Sequence, residues 1–217
     1  GLLDPDAPRG ESVFDHTIRC VASDRDMQAG VSSAASSLAR PQRLGNLVRI
    51  WDDNQISIED DTRVAFSEDV QARYQAYGWH VQTVDWRGGD GPYHEDVSAL
   101  YAALLAARAE TTRPSFVALR TIIGWPAPTK QNTGTAHGSA LGADEVAATK
   151  EILGFDPDQT FTVADDVRRH ALRVAERGAA LHADWDERFG AWRANGLSSS
   201  AFHSARSVTF SFFWGGW

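Results

Sequence analysis

Cysteine is nearly absent from this sequence: Cys20 stands alone among 217 residues, so no intrachain disulfide can form. A reducing, cytoplasmic compartment is the natural expectation. Also missing is any apolar run of membrane-spanning length. Asp4, Pro5, Arg9 and Glu11 interrupt the amino-terminal stretch, which excludes a signal-peptide core there. Positive charge is scarce, with a formal net charge of −8 and no stripe of Lys and Arg able to neutralise a row of phosphates. Nucleic-acid binding is therefore disfavoured. No Gly-x-Gly-x-x-Gly or Walker pattern follows an apolar run, which also disfavours those modes of nucleotide binding. An acidic chain can still hold a small anion, provided a metal ion or aimed backbone N–H groups supply local positive charge.

What is present is an ordinary globular balance, 42% hydrophobic and 23% charged. That suits one sizeable domain or two small ones. Short runs of strand length and β-branched or aromatic flavour occur at Thr17–Ala22, Leu47–Trp51, His80–Val84 and Ser115–Thr121. Stretches of helical character lie between them: Val31–Ala39, Ser67–Tyr77 and Glu95–Ala109. Alternation of this kind predicts an α/β fold, a doubly wound and mainly parallel sheet with helices on both faces. A Pro/Gly-rich loop over Gly124–Gly142 and a helix over Asp144–Leu153 follow. A long helix then begins, with Asp165 as its cap and Val167, Ala171, Val174, Leu181, Trp185, Phe189 and Trp192 near one face. From Gly196 to Trp217 the character changes. The uncharged aromatic run Val208–Trp214 predicts a poorly packed tail.

Ligands of doubly wound sheets gather at the carboxyl ends of strands, so the turns after Ala22, Trp51 and Thr121 are the informative ones. Ser23-Asp24-Arg25-Asp26 follows the first strand. Its acids suit a hard cation, although on spacing alone an Asp-rich turn capping the helix near Gly30 is the better account. After the second strand comes Trp51-Asp52-Asp53-Asn54-Gln55-Ile56, where an amide and backbone carbonyls offer oxygen ligands, or simply make a polar turn. Together Asp24, Asn54 and a nearby carbonyl form a candidate magnesium or calcium site. A third candidate is His137, in the long loop, able to donate to a phosphate or move a proton. The other histidines (His16, His80, His94, His170, His182 and His203) show no zinc-like spacing.

The stretch Ser23–Thr62, reading SDRDMQAGVSSAASSLARPQRLGNLVRIWDDNQISIEDDT, resembles the cofactor segment of transketolases, in their actinobacterial branch especially. The likeness continues through EDVQARYQAYGWH (Glu68–His80), RPSFVALRTIIGWPAP (Arg113–Pro128), NTGTAHGSALG (Asn132–Gly142) and EILGFDP (Glu151–Pro157). It implies a thiamine-diphosphate-binding fold over residues 1–195, with 196–217 outside the family pattern. It also implies transfer of a two-carbon ketol unit between sugar phosphates in the pentose phosphate pathway, by a homodimer using thiamine diphosphate and Mg2+ or Ca2+. Asp24, Asn54 and the backbone oxygen of Ile56 match the family's metal ligands. Ile58 matches a residue beside the thiamine, and His137 the histidine that contacts the diphosphate and approaches the substrate.

Departures accompany the likeness. Arg25 replaces a glycine that lets the backbone approach the diphosphate, and its guanidinium is either an obstruction or a phosphate ligand. Ala29 replaces a glutamate of a carboxylate network across the dimer interface. The family's early substrate-binding histidines and its pyrimidine-binding portion have no counterpart here. The expectation is thus a transketolase segment inactive by itself. The alternatives are a non-catalytic metal- and diphosphate-binding relic or partner subunit, or part of a sibling enzyme such as dihydroxyacetone synthase.

Overall fold

The computed structural model describes residues 4, 7, 11–58, 60–89 and 91–194. The aromatic tail expected to pack poorly lies outside the described residues. The chain divides into two compact units, one formed by Thr17–Thr160 and the other by Gly1–His16 with Phe161–Trp217.

The larger unit is built on four parallel strands: β1 (Ile18–Ala22), β2 (Leu47–Asp53), β5 (His80–Asp85) and β6 (Ser115–Arg120), in spatial order β1-β2-β6-β5. A two-residue-per-strand antiparallel hairpin, β3 (Ile56–Ser57) and β4 (Asp60–Asp61), stands apart from the sheet. Helices α1 (Asp24–Gln28), α2 (Gly30–Ala39), α3 (Val70–Ala76), α4 (Val97–Ala109), α5 (Gly134–Gly138) and α6 (Ala143–Ile152) complete the unit. The α/β expectation is met, with helices on both faces. β6 shows why most clearly. Its alternation sends Phe116 and Ala118 to one face and Val117 and Leu119 to the other. The first pair packs with Trp51, Tyr74, Trp79 and Met27, and the second with Val84 and Ala103. A strand covered on both faces has no polar side to show, hence its nearly continuous apolar sequence.

β2 outlasts the expected Leu47–Trp51 by two residues. Asp52 and Asp53 still pair with Leu119 and Arg120 of β6, so two acids are carried out to the sheet's carboxyl edge. Among the described residues four short elements went unforeseen: α1, the β3–β4 hairpin, a single 3-10 turn over Thr62–Val64, and α5 inside the Pro/Gly-rich loop.

The smaller unit is dominated by the 30-residue helix α7 (Asp165–Ala194). Asp165 is its first helical residue rather than the flanking cap, and with Asp166 it sets negative charge at the positive end of the helix dipole. Toward the other end, Trp185 donates its indole N–H to the Val13 carbonyl at 3.1 Å, and Phe14 meets the Trp192 ring edge-on at 4.8 Å. Farther back the apolar residues stay in contact with solvent: Leu172 is 60% and Leu181 64% exposed. We expect Leu172→Gln and Leu181→Gln, which conserve helix propensity, to change unfolding free energy by no more than ~0.5 kcal/mol each in urea titrations. A loss of ~2 kcal/mol, as from a core leucine, would show that these side chains are covered.

Candidate active site

The site is assembled at the carboxyl end of the sheet, where β1 and β2 lie side by side with Ala22 opposite Trp51. Immediately after Ala22 the chain turns into α1. Ser23 is extended there, and both its backbone N–H and its hydroxyl donate to the Asp26 carboxylate, at 2.8 and 3.0 Å. Those bonds hold the Asp26 carboxyl below its usual range. Asp26 is therefore committed to the cap. Asp24 and Met27, three residues apart on one helical face, turn inward and are 4% and 0% exposed.

Asp24 reaches across to the second strand end. One carboxylate oxygen accepts the Trp51 indole N–H at 3.2 Å, and the other accepts the Gln55 backbone N–H at 2.9 Å. Even so, burial, followed by the charge of Asp53, pushes its carboxyl up to about 6. Asp53, 2% exposed and 3.3 Å from the Arg120 guanidinium, is likewise raised, chiefly by burial, with Arg120 and Arg87 opposing the shift. Asp52 accepts a short hydrogen bond from the Thr121 hydroxyl, which ties in the third strand end. Asn54 is buried between these acids and the hairpin: its amide oxygen accepts the Ile56 N–H at 3.0 Å and its amide nitrogen donates to Asp52 at 3.1 Å.

The next turn is sharp. Gln55 adopts a positive φ of 65°, and its carbonyl accepts the Thr62 N–H at 3.0 Å, closing the hairpin. Ile56 is buried, whereas Ile58 is 57% exposed on the hairpin beyond it. Against this hairpin sits α5, whose first residue Gly134 donates its N–H to the Asp60 carboxylate at 2.7 Å. His137 is on the same short helix, with its side chain exposed. At the far end of that loop Glu145 takes N–H donations from Thr129 and Lys130 at 2.7 and 2.9 Å.

Of the residues singled out in the sequence, Asp24, Asn54 and Ile56 are brought to one turn, linked through the Gln55 N–H. Ile58 and the His137 helix border that turn from the hairpin side. Arg25 is exposed within α1 and is not among the residues with positive φ, so an arginine costs no backbone strain at that position. Sequence reasoning missed Trp51, Asp60 and the Asp53–Arg120 pair. A signal existed for Trp51, since a tryptophan buried at a strand end needs an acceptor for its N–H. None existed for Asp60.

The donor set fits a hard divalent cation. One buried carboxylate, an amide oxygen with a lone pair to spare and a backbone carbonyl are all oxygen ligands, as magnesium and calcium require. A cation would offset the burial, and after it the Asp53 charge, that raise Asp24. Among the described residues no group of three or more His, Cys, Asp and Glu could hold a metal, so a cation here relies on mixed oxygens and on its ligand.

Residues 2–207 match the family described as transketolase, thiamine diphosphate binding domain. The chain is 57% identical over 192 residues to the transketolase of Mycobacterium leprae, covering 88% of this chain and 26% of that one. Among solved structures, a Pichia stipitis transketolase in complex with sedoheptulose 7-phosphate superposes with a TM-score of 0.76 at 37% identity, over 84% of this chain and 26% of that one. Campylobacter jejuni transketolase gives 0.77 at 29% identity, over 94% and 30%. The chain thus spans about a quarter of the length of the curated mycobacterial relatives it matches. It belongs to the transketolase family, by that family's thiamine-diphosphate-binding domain.

Proposed function

We propose that this chain is the part of a transketolase that holds the cofactor's diphosphate through a divalent cation, in an enzyme that passes a two-carbon ketol unit from a ketose phosphate to an aldose phosphate. The observation that carries the reading is the Asp24 carboxylate, which spans from the end of β1 to the Gln55 N–H, between Asn54 and Ile56. Thiamine diphosphate, when bound, supplies the electron sink for breaking and making a carbon–carbon bond next to a carbonyl.

The chain's own residues do the binding and orienting. Asp24, the Asn54 amide oxygen and the Ile56 carbonyl would hold Mg2+ or Ca2+. The Trp51 and Gln55 N–H groups fix the Asp24 carboxylate, so little side-chain freedom is left to lose on binding. Ile58 offers an exposed apolar surface next to the turn, suited to one side of the thiamine. His137 would donate a proton to a diphosphate oxygen and face the incoming substrate. Arg25 is free of backbone strain and available to a phosphate. Sugar phosphates as substrates, a homodimer and the pentose phosphate pathway follow from the same reading, as does a cytoplasmic location. No described helix is long and apolar enough to cross a membrane.

Titration calorimetry with inorganic pyrophosphate tests the site directly. We expect binding that requires Mg2+ and that weakens at least tenfold in Asn54→Ala, the loss of one ligand to the cation. Binding that is indifferent to Mg2+, or unchanged in Asn54→Ala, would refute the reading.

A further inference from the structure

We propose that Asp60 is a positioning residue that fixes the His137 helix against the cation turn; this rests on the diphosphate-binding reading above. Asp60 has a positive φ of 83°, a backbone state that costs a non-glycine residue roughly 1 kcal/mol. Gly and Asn are the usual occupants of such a position. Asp60 brings a carboxylate instead, and that carboxylate accepts the Gly134 N–H at 2.7 Å, across 74 residues of sequence. Charge-assisted bonds of this kind are about twice as strong as neutral ones.

The two backbones are also in close register. A Cβ built on Gly134 would lie 2.9 Å from the Asp60 nitrogen and 3.1 Å from the Ile58 carbonyl oxygen. Glycine at 134 therefore allows the approach, and the Asp60 carboxylate holds it. In the hairpin, Asp60 pairs with Ser57 and Asp61 with Ile56, so the contact leads straight to the proposed cation ligand. His137 lies three residues after Gly134 in α5, one helical turn from the anchored N–H. The hydrogen bond thus joins the turn proposed to hold the cation to the helix proposed to meet the diphosphate.

Asp60→Gly separates strain from positioning, because it removes both the positive-φ cost and the acceptor. A residue with a merely structural role would show itself in stability. We expect the melting temperature of Asp60→Gly to be unchanged or higher, while affinity for Mg2+ with inorganic pyrophosphate falls roughly five- to tenfold. Asp60→Asn, whose amide oxygen can still accept the bond, should recover most of that affinity. His137→Ala should weaken binding in the natural background and add little in Asp60→Gly. Wild-type affinity in Asp60→Gly, or fully additive losses in the double variant, would overturn the proposal. A ligand-free readout keeps it distinct from the cation site: the Gly134 amide should lose hydrogen-exchange protection and the His137 ring resonances should shift in Asp60→Gly. If both stay as in the wild type, Asp60 does not position His137, whatever the cation site does. If they change while the unsubstituted protein ignores Mg2+ and pyrophosphate, only the diphosphate reading falls.

Discussion

Asp24→Asn is expected to stabilise the metal-free protein at pH 7 and to abolish the magnesium response proposed for this site. The carboxyl of Asp24 sits at about 6 against an ordinary 3.8. Between those values the folded chain binds more protons than the unfolded one, so stability falls as pH rises through the interval. Below about pH 4 the penalty is absent. Above about pH 6 it is complete, and amounts to roughly 3 kcal/mol. Asparagine removes the charge but turns one acceptor into a donor facing an N–H, which returns about 1 kcal/mol. A net gain of ~1–2 kcal/mol, or about 2–8 °C in melting temperature, is expected at pH 7. The wild-type protein should gain stability relative to the variant on acidification from pH 7 to pH 5. Saturating Mg2+ with pyrophosphate should raise only the wild-type melting temperature. Parallel pH profiles for the two proteins would show that Asp24 ionises without cost.

Tyr74→Ala should bring the larger unit close to unfolding. Tyr74 is 1% exposed, stacks on Phe116 at 3.9 Å and meets Trp79 edge-on at 5.0 Å. Its hydroxyl lies 2.9 Å from Ser36 and accepts from Arg49 at 2.9 Å. Deleting the ring removes a large buried aromatic, at ~3–5 kcal/mol. It also takes a partner from a half-buried guanidinium whose Nε already lacks one. Domains are commonly stable by only about 5–15 kcal/mol, so the urea midpoint should collapse. Tyr74→Phe keeps the stack and should cost about 1–2 kcal/mol, the value of the hydroxyl bonds. A loss below ~2 kcal/mol for Tyr74→Ala would place this cluster outside the cooperative core.

The long-range frame was legible because parallel strands covered on both faces leave an unmistakable run, as in Ser115–Arg120. Their order was not, since β6 enters between β2 and β5 on account of pairing that no local pattern records. Small elements escaped for local reasons. α1 is only five residues long and is broken at Ala29, and the β3–β4 hairpin depends on positive-φ residues that are not glycine, Gln55 just before β3 and Asp60 at the start of β4. Asp24 and Asn54 stood out by their joint position on two strand ends, whereas spacing alone favoured a capping turn for Asp24. What distinguishes them is tertiary: the Trp51 indole and the Gln55 N–H, which converge on Asp24 from the other strand. The apolar face of α7 was readable as a period, while its exposure was not, because periodicity says which residues share a side and nothing about what lies against it.

The order β1-β2-β6-β5 also dictates a sequence of events in time. On a ribosome, β1 and β2 can pair as soon as residue 53 has emerged, and the turn carrying Asp24 and Asn54 can begin to form. β5 then appears with no neighbour, since its partner in the sheet is β6, made some thirty residues later. Until Ser115–Arg120 arrives, the nascent chain carries two unpaired strand edges facing a gap one strand wide, the hazard that makes parallel sheets slow to fold and prone to cling to one another. β6 fills that gap in the folded chain, where Phe116 covers Tyr74 and Trp51, and Arg120 and Thr121 meet the carboxylates of Asp53 and Asp52. Of the four described strands of this sheet, the last to be made is the one that joins the other three into a single core.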